Sequence, residues 1–108
     1  MNLNDYQQAA LRTADQDRHN ELFHLVLGLM GESGEIAEKI KKVVRDHNSD
    51  QSKIDIDDIK RELGDVLWYV AVLSDYLGIE LDDVAKTNVA KLADRKVRNT
   101  LSGSGDNR

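Results

Sequence analysis

Cysteine and proline are both absent from this 108-residue chain, and only five residues are aromatic: Tyr6, Phe23, Trp68, Tyr69 and Tyr76. Without cysteine there is no disulfide framework, no thiolate metal site and no thiol nucleophile. No apolar run approaches the roughly 20 residues of a membrane-spanning helix. The opening MNLNDYQQ has neither the basic nor the apolar region of a secretory signal. A soluble, cytoplasmic protein without a membrane partner is expected. Alanine, leucine, glutamate, lysine and aspartate abound instead, a composition that favours helices over strands. The length suits one small domain that gains from association with other copies.

The net charge of −5 is unevenly spread. Residues 1–85 carry nine Lys/Arg against eighteen Asp/Glu, whereas residues 86–108 carry six Lys/Arg against Asp94 and Asp106. An acidic body argues against electrostatic binding of duplex nucleic acid, which needs an extended basic face. A basic C-terminal segment beside it suits a small polyanion whose phosphates a metal and the cations share.

Apolar spacing predicts four helices. The first runs from about Leu3 to Ala14 with Asn4 as its N-cap. The second runs from Glu21 to about Arg45, with Leu22, Leu25, Leu29, Ile36, Ile40 and Val43 at a 3.6-residue period and Glu32 filling the gap in that stripe. Gly28, Gly31 and Gly34 recur along it, at a cost of roughly 1 kcal/mol each relative to alanine, so a close helix crossing or a ligand is expected there. Asp55 or Asp57 caps the third helix, about Ile56 to Leu77, whose core stripe is Ile59, Leu63, Val66, Val70, Leu73 and Leu77. Trp68 lies opposite that stripe, so a neighbouring subunit is expected to cover it. Gly78 ends the helix, and the fourth spans about Leu81 to Arg98. The expected architecture is an all-α, four-helix bundle-like single domain over residues 1–101, forming a homo-oligomer (a dimer or tetramer), with residues 102–108 as a flexible tail.

The chemistry lies in two acidic pairs at i, i+3 spacing: Glu32 with Glu35, and Glu62 with Asp65. Each pair aims two carboxylates from one helix face. If the second and third helices pack antiparallel, the pairs face each other, and such oxygen ligands suit Mg²⁺ working beside phosphates. The alternative is a ladder of surface ion pairs with Lys39, Lys42, Lys60 or Arg61. Glu32 weighs against it, because an unpaired carboxylate on an apolar stripe needs a cation or a proton. His19, His24 and His47 show no metal-ligand spacing, so zinc has no support.

The runs GLMGESGEIAEKIKK and RELGDVLWYVAVLSDYLGI resemble the ExxE…ExxD signature of the MazG-like all-α nucleoside triphosphate pyrophosphohydrolases. Here 26 residues separate Glu35 from Glu62, and the resemblance extends from about Leu22 to Arg98. Many members carry a further acidic residue just before the first glutamate, where this chain has Gly31; Glu38 is a candidate stand-in. The resemblance implies cleavage of a (deoxy)nucleoside triphosphate between the α and β phosphates, releasing the monophosphate and pyrophosphate, in control of the nucleotide pool. It implies Mg²⁺, with Mn²⁺ as a substitute, held by Glu32, Glu35, Glu62 and Asp65, with one glutamate orienting the attacking water. The segment NVAKLADR is similar to the family's downstream N-x-x-K-x-x-x-R element, which makes Asn88, Lys91 and Arg95 candidate phosphate ligands. His24, Tyr69, Gln7 and Trp68 are candidates for a base pocket, and the GSGDNR tail is a candidate cover for the site. The rivals are a related substrate, dUTP or phosphoribosyl-ATP, and a non-catalytic helical interaction module.

Overall fold

A computed structural model describes residues 1–15, 20–99 and 103–106. The described residues form four α-helices and no strand: α1 (Leu3–Leu11), α2 (Glu21–His47), α3 (Ile56–Tyr76) and α4 (Leu81–Val97), with a 3₁₀ turn at Gln51–Lys53 between α2 and α3. None is long and apolar enough to cross a membrane. His19 lies outside the described residues.

Local chemistry sets the helix ends. Asn2, rather than Asn4, caps α1: its side chain accepts from the Asp5 amide at 2.8 Å while the Asp5 carboxylate accepts from the Asn2 amide at 3.3 Å. Asn4 is used elsewhere, accepting from the Asp82 amide at 3.0 Å. Asp55 caps α3 by accepting from the Asp58 amide at 3.1 Å. At the other end Gly78 takes φ +74°, and the Gly78 and Ile79 amides close onto the carbonyls of Asp75 and Ser74.

The helices α2 and α3 form an antiparallel hairpin, with Lys39 opposite Asp58 at one end and Gly28 against Tyr69 at the other. A Cβ at Gly28 would overlap the Tyr69 ring, so this glycine serves the close crossing. Gly31 and Gly34 have open space where a Cβ would sit. Neither α1 nor α4 packs on α2; both pack on α3 and on each other. The four helices therefore do not close into a compact bundle. The radius of gyration, 16.8 Å, exceeds the roughly 13 Å of a compact globule of this length.

The buried core is small: Ala10, Leu25, Ala71, Val72 and Leu81, with Tyr6, Trp68, Tyr69 and Leu73 packed around it. Gln7, buried among them, is not in a base pocket. Its amide donates to the carbonyls of Ala71 (3.1 Å) and Ile79 (3.0 Å) and accepts from the Leu81 amide at 3.0 Å, tying α1 to α3 and to the start of α4. All of its strong hydrogen-bonding groups are thereby engaged.

One expectation about α3 is corrected. Leu63 and Leu77 of the predicted core stripe are more than half exposed, while Ala71, Val72 and Ser74 are buried. Trp68 is half-buried, and its indole N–H donates to Thr13 Oγ1 at 2.8 Å and to the Ala10 carbonyl at 3.2 Å, so the α1 segment lies over part of that face. The helix is apolar on that face because α1 lies there. Exposed apolar side chains also stand on α2, where Phe23, Leu27 and Met30 are bare.

Candidate metal centre

The antiparallel register of α2 and α3 brings three of the four predicted acids together. Oxygen atoms of Glu32, Glu62 and Asp65 all lie within 4.8 Å of one another. Glu32 and Glu62 are half-buried and Asp65 is exposed. Glu35, one turn beyond Glu32, is exposed and outside this trio. Its charge still reaches Glu32. Burial first, then the charges of Asp65, Glu62 and Glu35 and a hydrogen bond with Glu62, push the Glu32 carboxyl above its ordinary range. Such crowding is relieved by a shared proton or by a cation.

The donors suit a hard divalent cation. Mg²⁺ bonds oxygen at about 2.1 Å, so opposite ligands stand about 4.2 Å apart. Small side-chain rotations would close the trio onto one ion. Exposed Asp65 leaves the site open on one side for waters and phosphate oxygens, which Mg²⁺ retains as ligands.

Two groups beside the trio were not assigned to it from the sequence. Lys39 reaches from α2 to Asp58 (2.5 Å) and Glu62 (3.0 Å) on α3, closing the acidic row at one end. The expected ion-pair ladder thus exists in part, through Lys39 and through Arg61 with Asp58 at 3.4 Å. Lys39 lies two turns beyond Glu32 on the same stripe, a position that marked it as inward-facing. Tyr6 of α1 is near enough to Asp65 to feel its charge: burial, then that charge, raises its hydroxyl pKa. Glu38 is exposed and 3.6 Å from Lys41, a surface pair.

Beyond the trio toward the start of α2 lies a pocket of about 210 Å³, lined by His24, Leu25, Trp68, Tyr69, Asn20 and Asp15 among others. The predicted base-pocket residues His24 and Tyr69 meet here, with Trp68 edge-on to Tyr69 at 5.0 Å between centroids. Tyr69 is one turn from Asp65 on α3, so pocket and acids are neighbours along that helix. The volume is below the roughly 300–1,000 Å³ of typical small-molecule sites, which suits one end of a ligand.

The basic residues of α4 make their described contacts elsewhere, on a helix that packs on α1 and α3. Asn88 is exposed, and α4 does not pack on α2. Lys91 and Arg95 meet each other through Asp106: its carboxylate lies 3.0 Å from Lys91 and 3.4 Å from Arg95, whose guanidinium also donates to the Asp106 carbonyl at 2.6 Å.

Residues 20–98 match the family model described as the MazG nucleotide pyrophosphohydrolase domain. The chain is 44% identical to the Gene 37 protein of Mycobacterium phage L5, the alignment covering all of both chains. No solved structure matches.

Proposed function

The chain belongs to the MazG nucleotide pyrophosphohydrolase family, and from that premise we propose that it is a Mg²⁺-dependent cytoplasmic enzyme hydrolysing (deoxy)nucleoside triphosphates to the monophosphate and pyrophosphate. The observation that carries this reading is the convergence of Glu32, Glu62 and Asp65 from two antiparallel helices. A divalent cation held by these three would supply charge neutralisation and a more acidic water. Glu35, exposed on the same helix one turn from Glu32, would orient that water and accept its proton. The water oxygen bonds to the α-phosphorus as the bridge to the β-phosphate breaks, and pyrophosphate leaves. No protein nucleophile takes part.

The His24, Trp68 and Tyr69 pocket takes the base end, leaving the triphosphate to run along α3 toward the acids. Lys91, Arg95 and Asn88 are proposed phosphate ligands. Since α4 does not reach α2 within one chain, and α2 leaves Phe23, Leu27 and Met30 exposed, the working form is a homo-oligomer. The test is a panel of nucleoside triphosphates incubated with Mg²⁺ and assayed separately for pyrophosphate and orthophosphate. Pyrophosphate with stoichiometric monophosphate is expected. Orthophosphate alone, or no turnover of any nucleotide, overturns the reading.

A further inference from the structure

Almost all of α4 is exposed, yet Arg95 near its end is only 3% accessible. Among the described C-terminal residues, Gly103–Asp106, it is Asp106 that meets Arg95. Gly103 and Gly105 adopt φ +112° and +83°, conformations that a side chain rarely tolerates, and the segment brings Asp106 onto the α4 face carrying Lys91 and Arg95.

The contacts are those of an anion in a cationic seat. Lys91 and Arg95, one turn apart, share one carboxylate oxygen of Asp106 at 3.0 and 3.4 Å. Hydrogen bonding to Lys91, then its charge, holds the Asp106 carboxyl below the ordinary range. A lysine and an arginine converging on one oxygen also form a phosphate-binding arrangement. The Asp106 side chain is 81% exposed, so water screens its carboxylate and a more highly charged anion can compete for the two cations, although Arg95 itself is buried and also donates to the Asp106 carbonyl at 2.6 Å. A polyphosphate brings more charge and more acceptor oxygens than one carboxylate.

We propose that Asp106 is an intramolecular stand-in for a substrate phosphate: the Gly103–Asp106 segment occupies the Lys91–Arg95 pair in the free protein and yields it to the nucleotide's polyphosphate. This rests on the reading of Lys91 and Arg95 as phosphate ligands. The strap keeps the cations paired until a stronger anion arrives, and it makes loss of the tail contact part of substrate binding.

The test uses the full chain with inorganic triphosphate and Mg²⁺ in a calorimeter, with NMR of the Gly103 and Gly105 amides. Asp106→Asn is expected to bind triphosphate about twofold to fivefold tighter than wild type, the range that a displaced exposed ion pair allows. In the wild type, both glycine signals are expected to move toward unstructured positions on saturation. If the Lys91→Ala, Arg95→Ala double variant binds triphosphate as wild type does, the phosphate-ligand reading fails and the strap with it. If that double variant binds weakly but Asp106→Asn is unchanged or weaker, and the glycine signals stay put, the strap alone is overturned.

Discussion

Lys39 crosses from α2 to α3 and sets its ammonium 2.5 Å from Asp58 and 3.0 Å from Glu62. Glu62 thus belongs both to a protein ion pair and to the carboxylate trio. The ammonium is held protonated above its ordinary range by hydrogen bonds, first with Asp58 and then with Glu62. Removing it as Lys39→Met leaves a more negative site. Without Mg²⁺ the variant is expected to melt below wild type, and added Mg²⁺ is expected to raise its melting temperature by more than it raises that of wild type. Thermal shift measurements with and without Mg²⁺ check this, and equal Mg²⁺-induced shifts would show that Lys39 and the metal do not share Glu62.

The separation of Glu35 from the trio predicts a division of roles. Glu62→Gln and Asp65→Asn are each expected to weaken Mg²⁺ binding and lower turnover on the order of a hundredfold or more. Glu35→Gln is expected to lose turnover on a similar scale while keeping most of its Mg²⁺ affinity, because it stands outside the cluster. Calorimetry for Mg²⁺ alongside steady-state rates separates the two. If Glu35→Gln loses the metal as fully as Asp65→Asn, it is a ligand of equal rank.

The raised Glu32 pKa carries a signed stability consequence. Since the folded state holds this proton more tightly than the unfolded chain, Glu32 contributes stability below its ordinary 4.5, and that contribution is lost as the pH rises through the raised folded value. In chelator, Glu32→Gln is therefore expected to gain in melting temperature relative to wild type across that rise, and to melt higher at neutral pH. Saturating Mg²⁺ should reverse the order. Parallel wild-type and variant curves from pH 4 to 8 in chelator would contradict the repulsion.

Much of the fold was legible because its signals are local. The Asp55 cap, the Gly78 terminus and the position of Glu32 on an apolar stripe each depend on neighbours within a turn or two. The acidic trio was legible because i, i+3 spacing on two antiparallel helices leaves few other arrangements. Periodicity shows which faces of a helix are apolar but not what covers them. The bond from the Trp68 indole to Thr13 is a cover of that kind. The Gln7 amide, serving α3 and the start of α4 from α1, depends on long-range packing that no local pattern encodes. The same holds for the packing of α4 on α1 and α3 and not on α2.

The glycines of α2 make a paired test of its two faces. At Gly28 a methyl group would meet the Tyr69 ring, and such overpacking costs about 1–3 kcal/mol. At Gly31 it meets nothing within 4 Å, and helix propensity alone favours alanine by roughly 1 kcal/mol. Gly28→Ala is expected to lower the melting temperature and Gly31→Ala to raise it. A fall in both would mean that something absent from a single chain already fills the space over Gly31.

That space borders the exposed apolar face, and the last prediction concerns its cover. Phe23, Leu27 and Met30 are 66%, 70% and 58% exposed, and their i, i+4, i+7 spacing places them on one side of α2. Burying each such side chain contributes on the order of 2 kcal/mol, and bare apolar patches of this kind mark association surfaces. A second copy meeting α2 is expected to cover the face and, by closed symmetry, to give a dimer or a dimer of dimers. Leu27→Glu should then dissociate the assembly. Trp68→Phe, whose indole bonds only within its own chain in the contacts described, should cost stability without changing mass. Light scattering coupled to size exclusion distinguishes these outcomes. A wild-type mass near that of one chain at micromolar concentration would leave the face of α2 for some other partner and remove the oligomer from the proposed function.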